Sequence, residues 1–198
     1  MKYILTLILA MAAGSALAAS GGVDPTWPCI QRKQPHLSLG QVWSGPPPDE
    51  ETEELARDPE IAALADRLEQ RRLPLEEAEA EIAEFAKQAD ASRLTALMVA
   101  IFNRIEPERS AIIAGIARYG ESQVAISKRI EERRARMEEL EAAEEPDFDA
   151  IDAEEEALDW DQRILTERQQ SLTYVCETPV LLEQRAFALG RALSAHID

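Results

Sequence analysis

Two apolar series at seven-residue spacing, one on each side of an acidic, proline-containing connection, constrain this chain more than any other feature. From Ile112 the step of seven gives Ile112, Tyr119, Ile126, Arg133 and Leu140; a companion series gives Ile116, Gln123, Ile130, Met137 and Glu144. Interleaved series of this kind are the a and d positions of a helix that packs lengthwise against another. From Ile151 the same step gives Ile151, Leu158, Leu165, Leu172, Pro179, Ala186 and Leu193, each apolar or proline. Between the stripes lies Glu144-Glu145-Pro146-Asp147-Phe148, where the proline disfavours helix at Glu145 and Asp147 can cap a new one. A short connection between long helices makes them antiparallel.

The prediction is an antiparallel coiled-coil hairpin over residues 107–198 with its turn near 145–148. Facing residues then sum to about 293, so Arg133 falls beside Trp160 and Tyr119 stands at about the level of Tyr174. The cluster Lys128, Arg129, Arg133, Arg134 and Arg136 lies along an arm rich in carboxylates, the charge pairing that antiparallel register needs.

The first residues carry a different signal. Lys2 followed by the apolar run Tyr3 to Ala13 and then Ala16-Leu17-Ala18 is the pattern of a secretory leader over residues 1–18, cleaved after Ala18. The run is too short to span a bilayer comfortably, so the expected location is a bacterial periplasm, with no membrane span after cleavage. Loss of Lys2 changes the net charge of −17 to −18. Such acidity argues against nucleic acid and against anionic membrane surfaces, and it leaves basic proteins, cations or simple solubility as its use. In an oxidising compartment Cys29 and Cys176 are most simply a disulfide, clamping the N-terminal segment onto the base of the hairpin.

Residues 19–48 hold six of the eleven prolines and two of the three tryptophans, Trp27 and Trp43. No helix is expected there. The segment reads as an extended strap whose Trp27, Ile30, Leu37, Leu39 and Trp43 lie in a groove of the helices, or present Trp27 and Trp43 to a partner. Residues 49–106 form a small helical base. The prolines at 59, 74, 107, 146 and 179 each mark a helix start, with Pro179 either restarting or kinking the last helix. Within the base, Ile61, Leu64, Ala65 and Leu68 form one stripe. Leu75, Ala78, Ile82, Phe85 and Ala89 form a second, and Leu94, Leu97, Met98, Ile101 and Ile105 a third. The fold class is all-α: base, hairpin and strap.

Chemistry is hard to find. From Glu138 to Asp161 there are thirteen acids and no Lys or Arg. A calcium loop of the EF-hand type after Asp147-Phe148-Asp149 would need a glycine and further oxygen ligands where Ile151 and Asp152 stand, so no metal is expected. His36 and His196 are isolated, and no nucleophile elbow, phosphate loop or Cys/His pair occurs. Catalysis and cofactors are therefore not expected. Leu165-Thr166-Glu167-Arg168-Gln169 resembles the Leu-Thr-x-x-Gln motif of small helical periplasmic stress chaperones; it covers five residues, occurs once and sits on a hairpin arm rather than at a helix start, so no function is carried over.

The functional expectation is an exported helical interaction or scaffold protein that binds an envelope protein, as monomer or homodimer. Its contacts would be the Trp strap (Trp27, Trp43) or the acidic hairpin end (Asp147, Asp149, Asp152, Glu154, Glu155, Glu156). The alternative is a holdase-like chaperone or a small-ligand or cation-binding protein. Its support is the polar interruption of the seam by Gln123, Arg133, Gln162 and Gln169.

Overall fold

The computed structural model describes Asp24 and residues 26–197. The leader expected over residues 1–18 lies outside the described residues. Six helices follow in order: α1 (Leu39–Val42), α2 (Glu50–Leu55), α3 (Pro59–Leu68), α4 (Leu75–Ala86), α5 (Ala91–Glu141) and α6 (Phe148–Ser194). The described residues contain no strand, and the all-α hairpin is what the seven-residue series predicts. No described helix is long and apolar enough to cross a membrane.

Capping explains most of the helix starts. Asp49, Asp58, Asp90 and Asp147 accept from backbone N–H groups in the first turns of α2, α3, α5 and α6. Pro59 opens α3 at a position where the missing N–H costs nothing. Arg185 serves the other end of α3, donating to the carbonyls of Leu68 at 2.7 Å and Leu73 at 3.0 Å.

The principal core lies at the base. Every residue from Leu94 to Ile101 is buried, because α3, α2 and the end of α6 surround the start of α5. An all-round apolar stretch belongs inside such a bundle, and Thr95, its one polar residue, returns its hydroxyl to the carbonyl of Ala91 at 2.8 Å. The predicted stripes of α3 and α4 are buried as expected, whereas Leu75 at the start of α4 is 38% exposed.

Three expectations change. Pro107 and Pro179 start no helix: α5 and α6 run through them. Each removes one backbone donor, and in α6 the seam phase survives, since Leu172, Pro179, Ala186 and Leu193 are all buried on one stripe. Base and hairpin consequently share α5, with no helix end at residue 107. The strap does contain a helix, the single turn of α1, closed by reciprocal bonding between Ser38 and Gln41. Finally, α5 ends at Glu141, ahead of Pro146. Glu138, Glu139, Glu141, Glu144 and Glu145 crowd the negative end of the helix dipole, which favours early termination.

The shifted turn moves the register by less than one helical turn. Arg129 pairs with Asp161 and Arg168 reaches Ser122, and the Tyr119 hydroxyl donates to the carbonyl of Arg168 at 3.2 Å. Tyr119 thus stands opposite Ser171 and Leu172 rather than Tyr174, which is 79% exposed. Ile116, Gln123 and Ile130 of the predicted seam are buried. Near the base Ile112 and Tyr119 are half-buried, and Ile113 and Gly120 take the more buried places, because the strap presses on that side.

Candidate functional site

The strap is fastened at three levels. At the top, Thr26 and Trp27 fold back on Asp24, and the Trp27 indole donates to the carbonyl of Gln31 at 2.6 Å. Cys29 is bonded to Cys176 with a Cα–Cα distance of 5.6 Å, and Gln31 donates to the Cys176 carbonyl. Lower down, Glu106, Arg109 and Ser110, spaced three and four apart on one face of α5, hold the strap backbone. Glu106 accepts from the Leu37 N–H at 3.2 Å, Arg109 donates to the carbonyl of Gln34 at 2.8 Å, and Ser110 donates to that of Pro35 at 2.9 Å. At the foot, Val42 and Trp43 enter the principal core.

This decides the tryptophans. Trp43 is 7% exposed and its indole donates to the carbonyl of Pro46 at 2.8 Å, so it is a core residue and offers no contact surface. Trp27 is half-buried against Lys33, whose ammonium lies 5.8 Å from the ring centroid. Leu37 and Leu39 are half-buried, and Ile30 points wholly outward. The amide of Gln123, buried beneath the strap, has no hydrogen-bond partner at either polar atom among the described residues.

The distal half of the hairpin separates its carboxylates into two sets. Asp161 and Glu154 face the seam. Asp161 is 4% exposed and takes Arg129 in a two-pronged pair, at 2.8 and 2.5 Å, together with Arg133 at 2.9 Å. Arg133 also bonds Glu154 at 2.9 Å. Hydrogen bonds from Arg129 hold the Asp161 carboxyl at about 2, with Arg133 adding to them against the opposing effect of burial. The same contacts raise the pKa values of Arg129 and Arg133. This ion lattice sits beside a small apolar cluster of Ile126, Ile130 and Leu158. Of the predicted basic cluster, Arg129, Arg133 and Arg136 meet carboxylates across the seam, at Asp161 and Glu154, whereas Lys128 pairs with Glu132 on its own helix and Arg134 forms no ion pair among the described residues.

The second set faces outward. Asp152, Glu155, Glu156 and Asp159 fall at spacings of three, one and three on α6, one helical face, and Trp160 adjoins them at 60% exposure. With Arg133, Asp161 and Arg163 these residues line an open recess of about 740 Å³. None of the four carboxylates makes an ion pair among the described residues. Phe148, also exposed at 71%, lies nearer the turn. Of the predicted acidic contacts, Asp147 caps α6 through the Ala150 N–H at 3.1 Å and Glu154 belongs to the lattice; Asp149, Asp152, Glu155 and Glu156 remain exposed. Asp159 and Trp160 were legible only as part of this face once the spacing of the exposed acids is followed along α6.

His36 contacts Glu106 at 3.3 Å and Ser110 at 3.1 Å on the exposed side of the strap. No group of three or more His, Cys, Asp or Glu arranged to hold a metal occurs among the described residues. No protein-family description matches this chain, and neither a curated protein nor a solved structure shows significant similarity to it.

Proposed function

We propose that this chain is an exported helical spacer of the bacterial envelope that docks a basic protein partner on the outward acidic face of α6. The division of the distal carboxylates carries the reading. Seam acids are neutralised by Arg129 and Arg133, while Asp152, Glu155, Glu156 and Asp159 outnumber Arg163 on their face and form no ion pair among the described residues, around an exposed tryptophan. Uncompensated carboxylates steer and orient a cationic surface, and an exposed indole supplies the apolar and cation–π anchor that charge alone lacks. The lattice behind the face fixes the two arms together, so the face is presented on a stiff support. The bonded Cys29 and Cys176 support export to an oxidising compartment.

The test is affinity capture from envelope extract with the full mature chain as bait. A stoichiometric basic protein should be retained at low ionic strength and released by salt. A variant combining Asp152→Asn, Glu155→Gln, Glu156→Gln and Asp159→Asn should lose it, and Trp160→Ala should weaken it. Retention unchanged by those substitutions, or no partner at low salt, overturns the reading. A holdase is the second reading, favoured by an uncovered apolar groove between Tyr119 and Val175. It requires suppression of client aggregation at several-fold molar excess.

A further inference from the structure

The hairpin has a groove on each side of the seam between α5 and α6, and the strap lies along one of them. There Gly120 meets Thr26 and Pro28, and Cys176 meets Cys29. On the other side Ile112, Gly115, Ile116 and Tyr119 face Ser171, Leu172 and Val175 across an open apolar cavity of about 310 Å³. Helical geometry places the two sets on opposite flanks: Gly115 and Tyr119 on one side of Ile116, Ile113 and Gly120 on the other. Leu172 lines both grooves, so the bare one is continuous with the interface that the strap already makes.

The glycines indicate what kind of occupant belongs there. A glycine inside a helix weakens it, and its compensation is close approach by another main chain. Three glycines lie inside the long helices. At Gly120 and Gly190 the carbonyl groups of Thr26 and Val42 occupy the place where a Cβ would stand. At Gly115 a Cβ would meet only the Arg118 guanidinium, 3.9 Å away. We propose that the groove beside Gly115 binds an extended, apolar peptide segment bearing a carboxylate, laid along the hairpin as the strap is laid along the opposite side.

The carboxylate follows from the rim. Arg118 overhangs Gly115, and Arg168 lies over the Tyr119 ring with 5.6 Å to its centroid while bonding the Ser122 hydroxyl at 2.8 Å. Neither arginine has a carboxylate within ion-pair distance among the described residues. A guanidinium beside an apolar slot suits an acidic side chain or a C-terminal carboxylate. A second copy of the chain, with its net charge of −17, is repelled instead. This site deepens the holdase reading by naming the chemistry of what is held, and it is independent of the acidic face of α6.

The experiment pans a displayed library of random dodecapeptides against the full mature, disulfide-bonded protein. Enriched peptides should combine apolar residues with Asp, Glu or a free C-terminus. Their affinity should fall at least tenfold in Gly115→Leu, whose side chain fills the slot, and about fivefold in Arg118→Ala or Arg168→Ala. Gly115→Leu should melt no lower than the wild type, which separates loss of binding from loss of fold. Three results overturn the proposal: no enrichment, enriched peptides that bind Gly115→Leu as tightly as the wild type, or a groove that takes dodecanoate or a second copy of the chain while ignoring peptide. Peptide binding without suppression of client aggregation retains the groove and removes the general holdase.

Discussion

Arg109 and Glu183 meet across the seam with Nε 2.7 Å from Oε1, and Arg109 is among the largest side chains that the fold buries completely. Its guanidinium also carries the strap through the carbonyl of Gln34, so one residue ties α5, α6 and the strap together. The two partners differ in exposure: the Arg109 side chain is 2% exposed and that of Glu183 is 37%. Removing the buried member leaves a carboxylate that water can reach; removing the exposed member leaves a sealed cation whose remaining carboxylate is Glu106, at 3.9 Å. Glu183→Ala should therefore destabilise the protein by roughly 2–3 kcal/mol and Arg109→Met by less, measured by urea unfolding. The reverse order would show that Arg109 acts through the strap rather than through its charge.

The glycines of α5 should respond with opposite signs. Gly115→Ala places a methyl in open space and removes the entropic cost of glycine, raising stability by about 0.5–1 kcal/mol. Gly120→Ala drives a Cβ into the carbonyl of Thr26 and must lift the strap, lowering stability by about 1–3 kcal/mol. Thermal melts of the two variants, with the disulfide intact, check the difference.

Asp161 makes stability fall in acid. Its folded pKa of about 2 lies below the ordinary 3.8, so its contribution is complete above about pH 4 and is lost as the pH falls towards 2. Asp161→Asn should unfold at lower urea concentration than the wild type at neutral pH. The gap between the two should close over that acidic interval, whereas a constant gap would mean that the carboxylate's charge is not what stabilises the lattice.

Breaking the disulfide should free the upper strap and leave the foot in place. Cys29→Ser with Cys176→Ser releases a loop of 147 residues and should cost up to about 4–5 kcal/mol in the chain-entropy account. Trp27 emission should shift to the red, while Trp43, seated in the principal core, keeps its blue-shifted signal until global unfolding. Fluorescence of single-tryptophan variants resolves the two.

Much of the hairpin was legible because its information is periodic. The series through Leu158, Leu172, Pro179, Ala186 and Leu193 passed the contrary local signal of one proline, and burial on a continuous stripe outweighed one missing backbone bond at Pro179. Pro107 misled for the same reason: a local preference for helix starts gave way to the all-round burial of Leu94 to Ile101 just before it, which binds the helix into the base. The candidate site was less legible. Acid count marks a charged region, but only the contacts of Arg129 and Arg133 distinguish Asp161 and Glu154 from Asp152, Glu155, Glu156 and Asp159.

Sequence alone determined the all-α class, the antiparallel arms and the pairing of Cys29 with Cys176, because periodicity, an interposed turn and an even cysteine count act through local geometry and chain connectivity. The tertiary structure decided the register, the burial of Trp43 and which groove the strap occupies. Those depend on where carbonyl groups of Thr26 and Val42 come to rest on Gly120 and Gly190, contacts between residues far apart in the chain that no local pattern encodes.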